Sequence, residues 1–216
     1  MTRKILVLAT LLLAAGATNA LAVGKGSSML ALQITNGTAD LYDPSDAGDY
    51  ISAYDHSEYG FRAEYWSLMS DDYAFSLAAG IGMFSETDKP GSTAPPGSPD
   101  VKYSQSSFSI RVGGDRVVNV GERGMLFFGP GLEYWSGKAK FEGFGPGPAV
   151  ETESVTRISL SARLGGHMMV GEGWGVTTQV GTKVGSASAE DTGSKVTWWP
   201  SSLDGNVGLL FLFGGK

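Results

Sequence analysis

The sequence predicts an all-β protein: an eight-stranded, antiparallel, up-and-down transmembrane β-barrel preceded by a cleavable signal peptide. Three observations predict it. Apolar and polar residues alternate along eight stretches, beginning near Met29, Glu58, Tyr73, Tyr103, Gly124, Thr152, Trp174 and Trp198, and a period of two marks a strand with two unlike faces. The connections between the stretches run long, short, long, short, long, short, long, as they do where brief turns lie on one side of a membrane and extended loops on the other. Glycine, at 32 residues, is used heavily inside the stretches themselves. That usage is hostile to helices, where each interior glycine costs about 1 kcal/mol relative to alanine, but it suits a narrow barrel in which small residues make room for bulky neighbours.

The chain begins with a basic start at Arg3 and Lys4, an apolar run from Ile5 to Ala15, and the small-x-small site Ala20-Leu21-Ala22. Together these read as a secretory signal, residues 1–22, removed after Ala22; the apolar run is short against the roughly 20 residues of a spanning helix. Residues 23–216 then form a single barrel domain, with no Pro/Ser linker dividing them. The formal charge is −6, from 16 basic and 22 acidic residues, and loss of the signal removes two bases and no acid. Such a balance argues against nucleic acid as a partner, because phosphate binding needs clustered Lys and Arg. The absence of cysteine excludes a disulfide framework, a thiolate metal site, a catalytic thiol and a lipidated cysteine. No cofactor or metal is expected.

The second stretch shows the period clearly: Tyr59, Phe61, Ala63, Tyr65, Ser67 and Met69 share one face, and Glu58, Gly60, Arg62, Glu64 and Trp66 the other. After the turn Ser70-Asp71-Asp72, the third sets Tyr73, Phe75, Leu77, Ala79, Ile81 and Met83 against Ala74, Ser76, Ala78, Gly80 and Gly82. The fourth has Phe108, Ile110 and Val112 outward, with Ser107, Ser109, Arg111, Gly113 and Asp115 inward. A turn near Gly121 to Gly124 leads to Leu126, Phe128, Pro130, Leu132 and Tyr134 outward, against Phe127, Gly129, Gly131, Glu133 and Trp135. Pro130 interrupts that register, since proline lacks a ladder donor. The sixth places Ile158, Leu160, Ala162 and Leu164 outside and Arg157, Ser159, Ser161, Arg163, Gly165 and His167 inside. Past Gly171-Glu172-Gly173, the seventh sets Trp174, Val176, Thr178, Val180, Thr182 and Val184 against Thr177, Gln179, Gly181, Lys183 and Gly185. The last sets Val207, Leu209, Phe211 and Phe213 against Asp204, Asn206 and Gly208, with Leu210 and Leu212 as exceptions. Each stretch meets the roughly 9–11 residues needed to cross at a barrel's tilt.

Aromatic residues collect at the ends of the stretches. Tyr59, Tyr103, Tyr134 and Trp198 are expected at the outer interface and Tyr73, Phe128, Trp174 and Phe213 at the periplasmic one, the two girdles that amphipathic rings form in headgroup zones. The long connections are Gly37 to Ser57, with Asp40, Asp43, Asp46, Asp49 and Asp55, then Thr87 to Lys102, Gly143 to Pro148 and Ser188 to Lys195. Rich in Pro, Gly and Ser, they bury too little to offset ordering entropy and are expected outside.

The inward parity of consecutive strands carries charge. If the second short turn centres near residue 122, Arg111 faces Glu133 across the hairpin, and Arg163 lies at similar height. The expectation is a mutually paired lumen network of Arg62, Glu64, Arg111, Asp115, Glu133, Arg163 and Lys183, because unpaired charges there are costly. His167 is expected as a hydrogen-bonded lumen side chain rather than a general base, since spacing supplies no serine or carboxylate partner. Asp43, Asp46 and Asp49 lack the spacing of an EF-hand loop and read as a solvated acidic loop. No catalytic residue is assigned, and the protein is read as no enzyme.

The closing run Val207-Gly208-Leu209-Leu210-Phe211-Leu212-Phe213 resembles the terminal strand of bacterial outer-membrane proteins, with Gly214-Gly215-Lys216 following the aromatic. With the signal and the eight stretches, the chain resembles the small eight-stranded outer-membrane barrels typified by the OmpA membrane domain and OmpX. The resemblance implies residence in the cell outer membrane, periplasmic termini, extracellular long loops, a monomeric state and a side-chain-filled lumen without general porin activity. It implies a structural or surface-interaction role: envelope integrity, adhesion, or contact with an extracellular ligand through the loops. The implied partners are outer-membrane lipids and lipopolysaccharide, and the barrel-assembly machinery during insertion. Two alternatives are an outer-membrane lipid-modifying enzyme, resembling lipid A deacylases and acyltransferases, and a soluble secreted β-sandwich binding protein.

Overall fold

The computed structural model describes residues 25–39, 56–88, 100–142, 150–151, 154–191, 194–198 and 201–213. The proposed signal segment and the acidic series Asp43, Asp46 and Asp49 lie outside the described residues. The strands are β1 (Ser28–Ala39), β2 (His56–Leu68), β3 (Tyr73–Asp88), β4 (Val101–Val120), β5 (Gly124–Glu142), β6 (Val150–Glu151), β7 (Val155–Gly171), β8 (Trp174–Asp191), β9 (Ser194–Trp198) and β10 (Ser201–Phe213). Each pairs antiparallel with its neighbours in the order β10-β1-β2-β3-β4-β5-β7-β8, and β8 pairs with β10 to close the ring. The wall is thus a closed eight-stranded barrel. The two-residue β6 adds to the end of β5, and β9 adds to the end of β8.

Alternation builds this wall because each residue type finds its face. Along β2, Phe61, Ala63 and Tyr65 are exposed while Arg62, Glu64 and Trp66 are buried; β7 repeats the rule with Ile158, Leu160, Ala162 and Leu164 outward. The short turns set the register. Gly121 and Gly173 adopt φ of 63° and 80°, the left-handed conformation that glycine takes without a Cβ clash. Across the β4–β5 turn, Val120 pairs with Gly124 and Arg111 with Glu133, a hairpin centred on residue 122.

Two expectations, the loop at Ser188 to Lys195 and the exception at Leu210, need correction, and those on strand length and Pro130 gain detail. The connection Ser188 to Lys195 is not a long loop: β8 continues to Asp191, which pairs with Ser194. This hairpin carries Ala, Ser and Thr, so no apolar face announces it. The wall strands run to 12–20 residues, beyond the span needed to cross, because backbone pairing continues past the apolar band. Pro130 stays in β5 with its ring outward, but the β4–β5 ladder skips from Gly113↔Gly131 to Arg116↔Phe128 around it. Leu210 is no exception to the alternation. It has lumen parity and is completely buried, in an apolar cluster with Met29, Trp66, Val117, Phe127 and Met169, against which Leu212 packs. The cluster fills the turn end of the barrel.

Candidate functional site

The lumen is layered. Above the apolar cluster lies an aromatic layer in which His167 is stacked on Phe127, with ring centroids 4.6 Å apart, and meets the Trp66 edge at 4.7 Å. Its Nδ1 is hydrogen-bonded to Thr177 Oγ1 at 2.9 Å. The Arg163 guanidinium caps this layer, its Cζ 5.1 Å from the centroids of both Trp66 and Phe127. A cation over a ring face is attracted by the ring quadrupole, which is how the charged layer is joined to the aromatic one.

Arg163 is the hub of the charged layer. It pairs with Glu64 and Asp115, its Nε donates to Asp115 Oδ1 at 2.9 Å, and its Nη atoms donate to Gln179 Oε1 at 3.1 Å and Ser76 Oγ at 2.9 Å. Arg111 donates to Ser161 Oγ at 3.1 Å, Ser76 Oγ at 3.1 Å and the Pro130 carbonyl at 3.2 Å. The Arg111 guanidinium lies flat over the wall, where a Cβ on Gly113 or Gly131 would meet it at 2.6 Å or 2.5 Å. Here the glycines make room for the side chain. Toward the loop end, Arg62 lies 3.4 Å from Glu64 and 3.7 Å from Glu133, and Lys183 lies 2.7 Å from Glu133 and 3.7 Å from Asp204.

All seven residues assigned to the lumen network therefore face the lumen and interconnect, but not in the expected pairs. Arg111 and Glu133 are cross-strand partners in backbone register, yet Arg111 reaches across the lumen to Glu64 at 3.6 Å, and Glu133 is held by Arg62 and Lys183. Long side chains in a narrow barrel span its bore, so ladder neighbours need not be charge partners. Two members were missed. Asp204 has lumen parity, but β10 meets β8 across a connection with no tight turn to count from. Arg157, also of lumen parity, has no carboxylate partner among the described residues; its Cζ lies 5.3 Å from the Trp135 ring centroid.

A cavity of about 60 Å³ lies above the network, touching Arg62, Glu133, Trp135, Arg157, Lys183 and Asp204. Below it, the charged, aromatic and apolar layers fill the bore. Among the described residues no group of three His, Asp or Glu side chains is placed to hold a metal ion. His167 is sealed between rings and 2% exposed; it is hydrogen-bonded to the equally buried Thr177 hydroxyl, and no carboxylate of the described residues bonds to it.

On the outer face, Tyr73, Phe128, Tyr134, Trp174 and Phe213 are exposed. The side chains of Tyr59, Tyr103 and Trp198, and that of His56, lie outside the described ones.

No family model matches the chain, and no curated protein matches it. Solved structures do. Ail, the attachment invasion locus protein of Yersinia pestis, is 15% identical, with 88% of this chain and 99% of that one covered and a TM-score of 0.50. The outer membrane protein OprG of Pseudomonas aeruginosa is 12% identical, with 89% and 98% covered and a TM-score of 0.56. The chain has the fold of the small eight-stranded outer-membrane barrels.

Proposed function

We propose that this chain is an outer-membrane barrel whose wall anchors extracellular loops, with a structural or surface-interaction role and no general porin activity. One observation carries the reading: the wall is apolar outside and charged inside. Leu160, Met69, Leu203 and Phe61 are more than 60% exposed, whereas Glu64, Asp115 and Glu133 are at most 1% exposed. Water would favour the reverse arrangement, and exposed apolar surface of this extent marks a lipid or partner interface. The reading also opposes a soluble β-sandwich.

Several features support the finer points. The filled bore below the cavity opposes free diffusion of solutes, as expected of eight strands, whose interior is just wide enough for side chains. The exposed Tyr73 and Trp174 at the turn end and Tyr134 toward the loop end suit two interfacial girdles. Lys102 and Lys138, exposed on the outward faces of β4 and β5 near their loop ends, suit anionic lipid headgroups, including those of lipopolysaccharide. The sealing of His167 opposes lipid-modifying chemistry, and replacing both histidines is expected to leave lipid profiles unchanged.

Cell fractionation combined with gel migration before and after boiling tests the reading. The protein is expected in the outer-membrane fraction, with a heat-dependent shift in mobility and no steady conductance in planar bilayers. Identical migration of a protein in the soluble fraction would reject it, and a large constant conductance would reject the sealed bore.

A further inference from the structure

The described charges within the lumen do not balance. Among the described side chains that face it, Arg62, Arg111, Arg157, Arg163 and Lys183 stand against Glu64, Asp115, Glu133 and Asp204, one cation more than the carboxylates. Every cation but Arg157 lies within ion-pairing distance of a carboxylate. Arg157 is 7% exposed, its Nε–H has no hydrogen-bond partner, and it lies in van der Waals company with Trp135, its cross-strand neighbour. A buried guanidinium without a counter-charge is costly unless something else supplies one.

The cavity lies beside it. Besides Arg157, it is bordered by Arg62, whose Nη2 is also buried and without a hydrogen-bond partner, and by Ser109 and Ser202. A site needs about 10–15 Å³ of such volume to hold a water, so a cavity of about 60 Å³ has room for a few waters or one group of about the size of phosphate. The charged side chains on its border are Arg62, Arg157 and Lys183 against Glu133 and Asp204; Arg62 and Lys183 are paired with those carboxylates, so the cation left over, Arg157, sets the sign of the guest.

We propose that this loop-end vestibule is an oxyanion site, in which a phosphate-sized group accepts hydrogen bonds from Arg157 and Arg62. The planar guanidinium fork matches the geometry of two oxygens on one anion, and the Trp135 ring, 5.3 Å from Arg157 Cζ, supports that fork. The site does not depend on the membrane reading above, since it rests on the lumen alone.

The test is a titration of the folded, full-length chain with inorganic phosphate at constant ionic strength, following the Arg157 Nε–H and Trp135 indole resonances by NMR. A saturable shift is expected with phosphate and none with chloride. Arg157→Gln is expected to weaken binding by at least about tenfold, and Arg157→Lys to retain part of it, with the heat-dependent gel shift verifying that both variants fold. Glycerol phosphate forms a second arm. Binding as tight as that of phosphate assigns a phosphate carried on a larger molecule, and exclusion assigns the free ion. No saturable shift in the unaltered chain, or equal affinity in Arg157→Gln, overturns the proposal.

Discussion

Arg163 joins three kinds of interaction at one point: ion pairs to Glu64 and Asp115, hydrogen bonds to Ser76 and Gln179, and the ring faces of Trp66 and Phe127. Removing one member of a buried, satisfied network leaves its partners as uncompensated charges, which typically costs about 3–5 kcal/mol. Arg163→Met is therefore expected to destabilise the folded barrel by about that amount in urea titrations, with folded and unfolded fractions read from the heat-dependent gel shift. Lys183 pairs with Glu133 and Asp204 at the cavity, where its side chain is 14% exposed. Solvent there screens the orphaned carboxylates, so Lys183→Met is expected to cost clearly less. Equal losses from the two variants would mean that the network has no graded burial, contrary to the layering described.

At the scale of the strand, legibility follows contrast between the two faces. The alternation in β2, β3, β5 and β7 is plain in the sequence because Phe, Leu and Ile oppose Arg, Glu and Ser, and the β4–β5 register follows from the turn alone. The β8–β9 hairpin is illegible for the opposite reason, since Ala187, Ser188 and Ala189 have no apolar face to read. Leu210 looks like an error in its strand because a lumen position is expected to be polar, whereas at the turn end the bore is closed by apolar packing. The charge partners of Arg111 and Glu133 are not readable from the ladder, since side chains that cross the bore obey the barrel's diameter and not its pairing. A strand-level prediction follows for Leu160, which lies mid-strand and is 67% exposed. Leu160→Arg is expected to destabilise the barrel in bilayers by about 2–4 kcal/mol, the cost of arginine near the bilayer midplane. On a water-facing wall the same change would be almost neutral, so unfolding titrations in lipid vesicles decide between the two.

At the scale of the whole molecule, the barrel is asymmetric along its axis. The turn end is closed by the cluster of Met29, Trp66, Phe127 and Leu210, the middle by ion pairs, and the loop end retains a small polar cavity. An assembly sealed on one side and open on the other suits an anchor that presents its loops and vestibule outward rather than a conduit. The proposed function depends on the outer wall facing hydrocarbon. Spin labels placed singly at Ile158, Ser159, Leu160, Ser161, Ala162 and Leu164 of β7, in lipid vesicles, measure this directly through collisions with oxygen and with a water-soluble nickel chelate. The account predicts strong oxygen and weak nickel accessibility at Ile158, Leu160, Ala162 and Leu164, and low accessibility to both at Ser159 and Ser161. Nickel accessibility at the four apolar sites equal to that of a label in water would contradict it.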